Sequence, residues 1–245
     1  MSTLREQRAL VSPLINTASP ADAPTAYYAL YHDLNRSSLF ARTDAEGRAV
    51  GFVGCFRTGV DLFRPVVVMR CGTPEVAADL LDEALTVGRP YLFFSDVSQL
   101  PMVGGSLQTE NERILSIYAL DRSRFTPVIN VLVVTKTASD GTPRVEIHSG
   151  GLQAASGVNW QSPGFAEIYV HTEAEARQRG WGRSVVAACT DLVLAGGRLP
   201  IYLVEPSNEP SIQLAEGLGY VDTGARMVIA DAAYLGHPTK REPTA

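Results

Sequence analysis

The stretch VHTEAEARQRGWGRSVV, from Val170 to Val186, constrains this chain more than any other. It begins with a strand-like end, continues through arginines interleaved with two glycines, and ends in an apolar helix start. Glycine allows positive φ and close approach of a ligand to the backbone, and the N–H groups at a helix N-terminus favour negative charge. The stretch therefore predicts a strand, an anion-binding loop and a helix in that order.

Backbone and side chains of this loop both suit an anion. Residues 178–184 would present successive N–H groups, and Arg177, Arg179 and Arg183 add full positive charges around them. A pyrophosphate fits such a concave site well. The string GxxxxGK[ST] does not occur, and Val185 stands where a GxGxxG fingerprint needs its third glycine. The alternative interpretation is a solvated basic turn that only starts a helix.

Apolar patterning organises the first hundred residues around β structure. It predicts a helix over 20–35, a hairpin made of SSLFART and AVGFVGCF, a strand RPVVVMRC, a helix TPEVAADLLDEALTVG capped by Thr73, and a strand PYLFFSD. Residues 99–111 contain Pro and two Gly and are predicted to link two halves.

The second half adds strands and two helices. Strands are predicted at ERILSIYALDR, PVINVLVVTKT and RVEIHSG, and a hairpin within 154–172. A long helix follows from near Gly182 to Gly196, then strand LPIYLVEP, helix SNEPSIQLAEGLG and strand ARMVIADAAYL. The halves share an order of elements but not residues, which predicts a diverged tandem duplication with domains at 1–105 and 106–245.

Charge and cysteine usage exclude several classes of protein. The formal net charge is −5 and no Lys/Arg-rich block occurs, so a nucleic-acid partner is disfavoured. Three widely spaced cysteines without CxxC spacing favour a reducing cytoplasm and predict no structural metal site, and the four histidines lack metal-ligand spacing. No signal peptide and no run near ~20 apolar residues is found, so no membrane partner is expected.

The loop and a second motif together resemble one family. RQRGWG at 177–182 is similar to the CoA loop [QR]-x-x-G-x-[GA] of the GNAT superfamily of acyl-CoA-dependent N-acyltransferases. Further along, NEPS from Asn208 to Ser211 matches N-x-x-[AS] and leads into LGY at 218–220, which matches L-G-[FY]. The resemblance covers roughly residues 112–230, because the first half matches in element order alone.

The resemblance implies an α/β (α+β) fold, the GNAT fold, with a mixed and mainly antiparallel central sheet flanked by helices. It implies an N-terminal GNAT-like half that has lost its CoA site, and acetyl-CoA as co-substrate without a metal. The residues that it implies for binding CoA are Val170, His171, Thr172, Arg177, Gln178, Arg179, Gly180, Trp181, Gly182, Arg183, Ser184, Asn208 and Ser211. For Trp181, a hydrophobic plug inside the loop is an equal alternative.

Amine acylation needs a base, because a lysine-like amine has a pKa of ~10.4. Glu167 in FAEIYV is the nearest match to the base Glu of the family, unless a β-bulge shifts its facing. Tyr169 lies two residues along, and His171 adjoins the loop with a side-chain type that ordinarily titrates near neutral pH. The alternatives are a surface or ion-paired carboxylate for Glu167 and a packing role for Tyr169.

One departure from the family concerns the acid. The usual tyrosine after N-x-x-[AS] is replaced by Ala215, as in the glycine-N-acyltransferase-like branch. This puts a tyrosine acid in doubt but not acyl transfer, because a leaving thiolate of pKa ~8.5 is readily protonated. Tyr220, at the G-[FY] position, is predicted to belong to the core.

The sequence thus predicts an acyl-CoA-dependent N-acyltransferase, with acetyl-CoA as donor and direct transfer in a ternary complex. The acceptor would be a primary amine of a small molecule, amino acid or peptide, and a homodimer is left open. The alternative is a non-catalytic acyl-CoA sensor that keeps the loop, and a nucleotide-binding protein using the same loop is a third class.

Overall fold

The structure is a computed structural model that describes residues 3–59 and 61–240. Its α-helices are α1 (Leu4–Val11), α2 (Ala23–Ala26), α3 (Pro74–Ala84), α4 (Leu100–Val103), α5 (Trp181–Ala195) and α6 (Glu209–Gly217). Its strands are β1 (Ser37–Thr43), β2 (Ala49–Phe56), β3 (Val66–Cys71), β4 (Pro90–Asp96), β5 (Leu107–Leu120), β6 (Val134–Thr137), β7 (Pro143–Ser149), β8 (Leu152–Gln161), β9 (Phe165–Thr172), β10 (Leu199–Val204) and β11 (Tyr220–Tyr234).

The chain divides into two compact units. Unit 1 takes in the described residues up to Leu115 and from Arg226 onward, and unit 2 is Ser116–Ala225. The assignment of 1–105 as a degenerate GNAT-like half and of 106–245 as the catalytic domain stays a prediction. None of the described helices is long and apolar enough to cross a membrane.

Unit 1 is a mixed sheet with a helical crossover. Strands β1, β2 and β3 pair antiparallel in sequence order. Helix α3 then returns the chain to β4, which pairs parallel to β3, and β4 pairs antiparallel with β11. The apolar face of α3 (Ala77, Leu80 and Leu81) is fully buried in a core with Val67 and Phe93, so burial of this face fixes the helix on the sheet.

Unit 2 repeats that arrangement with a longer meander. Strands β6, β7, β8 and β9 pair antiparallel in order. Helix α5 leads to β10, which pairs parallel to β9 and antiparallel to β5. Val185, Val186 and Cys189 of α5 are fully buried against the sheet in one core. The predicted α/β (α+β) class with a mixed, mainly antiparallel sheet flanked by helices is confirmed.

Three local predictions were wrong. Residues 20–35 form a 3₁₀ turn, the short α2, a π-helix at Tyr27–Tyr31 and a second 3₁₀ turn instead of one helix. Pro20 and Pro24 each stand in the first turn of a separate short helix, where a missing N–H is tolerated. The linker at 99–111 instead contains a 3₁₀ turn, α4 and the start of β5.

The third wrong prediction is a strand beginning at residue 127, because only Val134–Thr137 form β6. Asn130 and the residues that follow it form a turn before β6. The Asn130 carbonyl accepts from Val133 N at 3.1 Å, and its side-chain oxygen accepts from Leu132 N at 3.0 Å. Ile129 and Val131 are consequently 94% and 95% exposed. Helix α1, which the patterning did not indicate, begins at a capping box formed by Thr3 and Glu6.

Candidate functional site

Strand β9 presents two different faces. Ala166 and Ile168 point into the unit 2 core beneath α5 and are buried. Glu167, Tyr169 and His171 alternate with them, and their exposure rises from half-buried at Glu167 to exposed at His171. Because side chains alternate along a strand, the three predicted catalytic candidates share the face opposite to α5.

A β-bulge lies near Glu167, but in the neighbouring strand. The register between β8 and β9 shifts between Val158 and Trp160, which leaves Asn159 as the extra residue. Asn159 Nδ2 donates to Glu167 Oε1 at 2.9 Å. Desolvation raises the pKa of Glu167, against the opposing effect of hydrogen bonds from Asn159 and Trp160. The Glu167 side chain is therefore a carboxyl with a raised pKa and a fixed orientation.

The ladder between β9 and β10 is short. Within the described residues, parallel pairing covers residues 165–167 of β9 and 199–201 of β10. On its other side, β9 stays paired with β8 as far as Thr172. Backbone groups of residues 168–172 that face β10 thus lie outside this ladder and are available as hydrogen-bond partners.

The loop after β9 has the backbone that its glycines predict. A 3₁₀ turn covers Ala174–Ala176, Gln178 has φ 61° and Gly180 has φ 74°. Gly180 is the N-cap of α5, and no side chain of the described residues caps the helix through a hydrogen bond. The first-turn N–H groups therefore point into the loop with the positive end of the helix dipole.

A cavity of about 590 Å³ opens at this helix N-terminus. It is lined by Val170, His171, Thr172, Ala176, Arg177, Gln178, Gly180, Trp181, Gly182, Arg183, Asn208, Pro210, Ser211 and Leu214. The lining brings together most of the predicted CoA residues from both motifs. Ala176, Pro210 and Leu214 were missed, although Leu214 follows Ser211 at the i+3 spacing of one helix face.

Two predicted CoA residues do not line the cavity. The Arg179 guanidinium carbon lies 5.5 Å from the centre of the Trp181 ring, a cation–π contact. Ser184 is buried, and its hydroxyl donates to Gly180 O and accepts from Asn130 Nδ2, both at 3.1 Å. Both side chains therefore contact other protein groups at the loop and do not face the cavity.

Other loop residues have a structural as well as a lining position. Arg183 Nη2 donates to Gly217 O at 2.7 Å, which joins the start of α5 to the end of α6. Trp181 is 7% exposed and packs in the unit 2 core while also lining the cavity, so both interpretations of this residue apply. A Cβ at Gly182 would lie 3.1 Å from Thr172 Oγ1, so the close approach of α5 to β9 favours glycine there.

Helix α6 brings the second motif to the same cavity. Asn208 caps the helix, since its Oδ1 accepts from Ser211 N at 3.3 Å. Ala215, in place of the usual tyrosine, is 1% exposed in the core. The phenol of Tyr202 is desolvated, which raises its pKa, and it hydrogen-bonds the Ser211 side chain. The Tyr220 hydroxyl lies 2.7 Å from Thr190 Oγ1 in the interior, which confirms its predicted place in the core.

No three His, Cys, Asp or Glu side chains come together as a metal site in the part of the chain that the structure describes. Cys189 of α5 is fully buried, and burial raises the pKa of its thiol to about 11. Its position on the apolar helix face agrees with the packing role expected from the sequence.

Comparisons with known proteins identify the fold and give one family-model match within the second half of the chain. The chain is similar to three solved structures at 14% sequence identity each. A Drosophila protein has a TM-score of 0.65, and the similarity covers 93% of this chain and 95% of that chain. A GCN5-related N-acetyltransferase from Kribbella flavida has a TM-score of 0.60, with 87% of this chain and 95% of that chain covered, and a tandem GNAT protein from the clavulanic acid biosynthesis pathway has a TM-score of 0.59, with 98% and 94% covered. The chain therefore has the GNAT fold. Residues 146–228, about a third of the chain, match the model of the FR47-like protein family. Together with the fold, this match confirms the resemblance to the GNAT superfamily. No curated protein sequence matches the chain significantly.

Proposed function

We propose that the protein is an N-acyltransferase that transfers an acyl group, with acetyl as the first choice, from CoA to a primary amine. The observation that carries this proposal is the composition of the cavity. Its lining combines the Arg177–Gly182 loop, Asn208 and Ser211 of the second motif, and Val170–Thr172 at the end of β9.

The loop would hold the CoA pyrophosphate. The uncapped first turn of α5 offers N–H donors, and the cavity-lining Arg177 and Arg183 add positive charge. Nothing lies within 4 Å of the position that a Cβ would take at Gly180, so that side of the loop is open to a ligand. CoA would thus be bound by backbone amides supplemented by guanidinium groups.

Glu167 would act as the general base. Its raised pKa makes the carboxylate a stronger base than an ordinary glutamate, which suits proton transfer from an alkylammonium. The transfer would run directly or through one water on the face shared with Tyr169 and His171. Backbone N–H groups of residues 168–172 that face β10 would polarise the thioester carbonyl.

Direct attack of the amine on the thioester is favoured over a covalent enzyme intermediate. Cys189 is buried with its thiol pKa raised to about 11, so it is protonated at neutral pH and shielded from substrate. The thiolate of CoA leaves and takes up a proton from water or from the base. The acceptor class would be a small-molecule, amino-acid or peptide amine, as in the glycine-N-acyltransferase-like branch.

We also propose a cytoplasmic location, which the free thiols of Cys55, Cys71 and Cys189 support. A homodimer is compatible with this proposal, and sedimentation of the purified protein would establish its oligomeric state.

The proposal is tested by incubating the protein with acetyl-CoA and a panel of primary amines while free thiol release is measured. Amine-dependent release above hydrolysis is expected. Calorimetry with CoA gives the affinity in parallel, and the double variant Arg177→Ala, Gly182→Asp serves as the loop-disrupted control. Tight CoA binding without turnover on any amine would instead favour the sensor, and unaltered affinity in the double variant would remove the loop from the CoA site.

A further inference from the structure

Three basic side chains surround one buried carboxylate on β6 and β7. The Glu146 side chain is 6% exposed, and its oxygens lie 2.5 Å from Lys136 Nζ, 2.5 Å from Arg144 Nε and 2.9 Å from His148 Nε2. Hydrogen bonds from Lys136, His148 and Arg144 hold the pKa of Glu146 at about 2. With two fixed cations against one anion, this basic cluster keeps an excess of positive charge.

Strand register places the basic cluster on the face of the sheet opposite to α5, the face that carries Glu167, Tyr169 and His171. Glu146 pairs with Ala155, which pairs with His171. In the next row but one, Arg144 pairs with Gly157, which pairs with Tyr169. Directly paired residues share a face, and two strand spacings amount to about 10 Å. An acceptor whose amine and carboxylate are several bonds apart could therefore span from the basic cluster to β9.

Gly157 lies between Arg144 and Tyr169 and has no side chain above the sheet. A Cβ at Gly157 would lie 2.8 Å from Tyr169 Oη, so the Tyr169 ring already covers this glycine. The phenol thereby reaches over β8, and its interaction with Arg144 contributes, after the hydrogen bond to Glu146, to the raised pKa of the guanidinium. Any larger residue at position 157 would displace the ring from this row.

The cations of the basic cluster are accessible although their carboxylate is not. The side chains of Arg144, Lys136 and His148 are 42%, 53% and 54% exposed. Arg144 uses Nε for Glu146, and a guanidinium carries four further N–H donors in a planar fork. That fork matches the two oxygens of a carboxylate.

We infer that the acceptor amine carries a carboxylate, and that Arg144, assisted by Lys136, binds this group while the amine lies near Glu167. Glu146 orients both cations and moderates their charge. Arg144 is thus a specificity-determining residue for the acylation, and the inference rests on the proposed function. It predicts that the enzyme uses a short peptide with a free carboxylate in preference to the corresponding carboxamide.

The test uses a dipeptide with a free C-terminal carboxylate and its carboxamide as matched acceptors, because their length suits the span from the basic cluster to β9. Wild-type protein is expected to show a KM about 10- to 100-fold lower for the acid, in keeping with a charge-assisted hydrogen-bond pair. Arg144→Gln should raise KM for the acid by a similar factor and leave KM for the amide unchanged. Arg124→Gln, which removes another exposed unit 2 cation paired with Asp121 at 3.2 Å, is the control and should preserve the preference.

A second variant separates recognition from a purely structural ion-pair network. Glu146→Gln removes the negative charge, so it should lower KM for the acid, the direction opposite to Arg144→Gln. A structural network would instead make both variants worse on both acceptors. Thermal unfolding of each variant shows whether it remains folded at the assay temperature.

Failure of this inference is distinguishable from failure of the acyltransferase proposal. Equal use of acid and amide by the wild type would overturn the carboxylate site and leave acyl transfer intact. Should no amine be acylated, calorimetry with an N-acetylated dipeptide and its carboxamide measures the same preference without turnover. Equal or undetectable binding of the two probes at millimolar concentration would then overturn the carboxylate site independently.

Discussion

Helices α3 of unit 1 and α5 of unit 2 both connect two parallel strands, but their N-termini differ in chemistry. Helix α3 starts directly after Gly72 and Thr73, and the Thr73 hydroxyl accepts from Val76 N at 3.4 Å. Pro74 and Glu75 follow in its first turn. Helix α5 starts after the loop 173–180, without a side-chain cap and with arginines around it. The first turn of α3 thus has a side-chain cap and an acidic residue, whereas the first turn of α5 has neither.

The arginine that precedes each helix is used differently. Arg70 of β3 contacts Asp22 Oδ1 at 2.6 Å and donates to Leu14 O at 2.6 Å, so it fastens the turns of unit 1. Arg177 is exposed and lines the cavity of unit 2. The same strand–helix–strand arrangement therefore supports a ligand site only where the loop leaves amides and cations available. This supports the prediction that the N-terminal half has lost its CoA site.

The largest effect is expected for Glu167→Gln, because this substitution removes the proposed general base. Strand β9 carries this carboxyl group, and the corresponding strand β3 (VVVMRC) has none. The value of kcat should fall by about 10²- to 10⁴-fold with little change in CoA affinity. Since burial raises the pKa of Glu167, the wild-type rate should increase as pH rises through a value above that of ordinary glutamate. This limb should vanish in the variant, as measured by pH–rate profiles.

Glu216→Gln on the exposed side of α6 is the control for that experiment and should leave the profile unchanged. An identical pH profile for Glu167→Gln and the wild type would exclude Glu167 as the base.

Arg177→Ala is expected to have the next largest effect. Loss of a charge-assisted contact to phosphate should weaken CoA binding by about 10- to 100-fold. Arg179→Ala should weaken it less, because Arg179 stacks on Trp181 and does not line the cavity. Calorimetry with CoA measures both, and a larger loss in Arg179→Ala would contradict the assignment.

Arg70→Ala should show the opposite pattern in unit 1. CoA affinity should stay unchanged while the free energy of unfolding falls by about 1–3 kcal/mol, because Asp22 loses its partner. Burial tends to raise the pKa of Asp22, but a hydrogen bond from the Arg70 side chain, another from Asn16 N and the charge of Arg70 lower it on balance. The deficit should therefore be full above the unfolded pKa of Asp22 and shrink as pH falls through its folded pKa. Denaturant titrations at several pH values provide the measurement.

The smallest effects concern the two N-caps. Thr73→Ala should destabilise the protein by about 1 kcal/mol and leave CoA binding unaffected. Gly180→Ala, at φ 74°, should cost about 1–2 kcal/mol of backbone strain and also weaken CoA binding. If Thr73→Ala reduced CoA affinity as much as Gly180→Ala does, the contrast between the two helices would not hold.

Part of the candidate site was predictable from the sequence. Local rules of backbone conformation and capping predict the positive φ at Gly180 and the helix that begins beside it. The linked motifs predict that Asn208, the N-cap of α6, lies close to the loop. The common face of Glu167, Tyr169 and His171 follows from strand alternation.

Other features depended on contacts between residues distant in sequence. The turn at Asn130 overrode the β propensity of its neighbours, because its side chain bonds Leu132 N and Ser184 Oγ. The bulge at Asn159 that orients Glu167 arises from strand register, which hydrophobic patterning alone does not specify.

The sequence by itself determined the strand–loop–helix unit and the positive φ at Gly180, because these depend on residues adjacent in the chain. The fold class followed from the resemblance of two linked motifs to one family. Only the tertiary structure decided that Arg144 and Tyr169 lie in one cross-strand row over Gly157, and that Arg179 supports the loop while Arg177 faces the cavity. Pairing register and side-chain packing bring these groups together, and both arise from the energy of the whole fold rather than from local propensity.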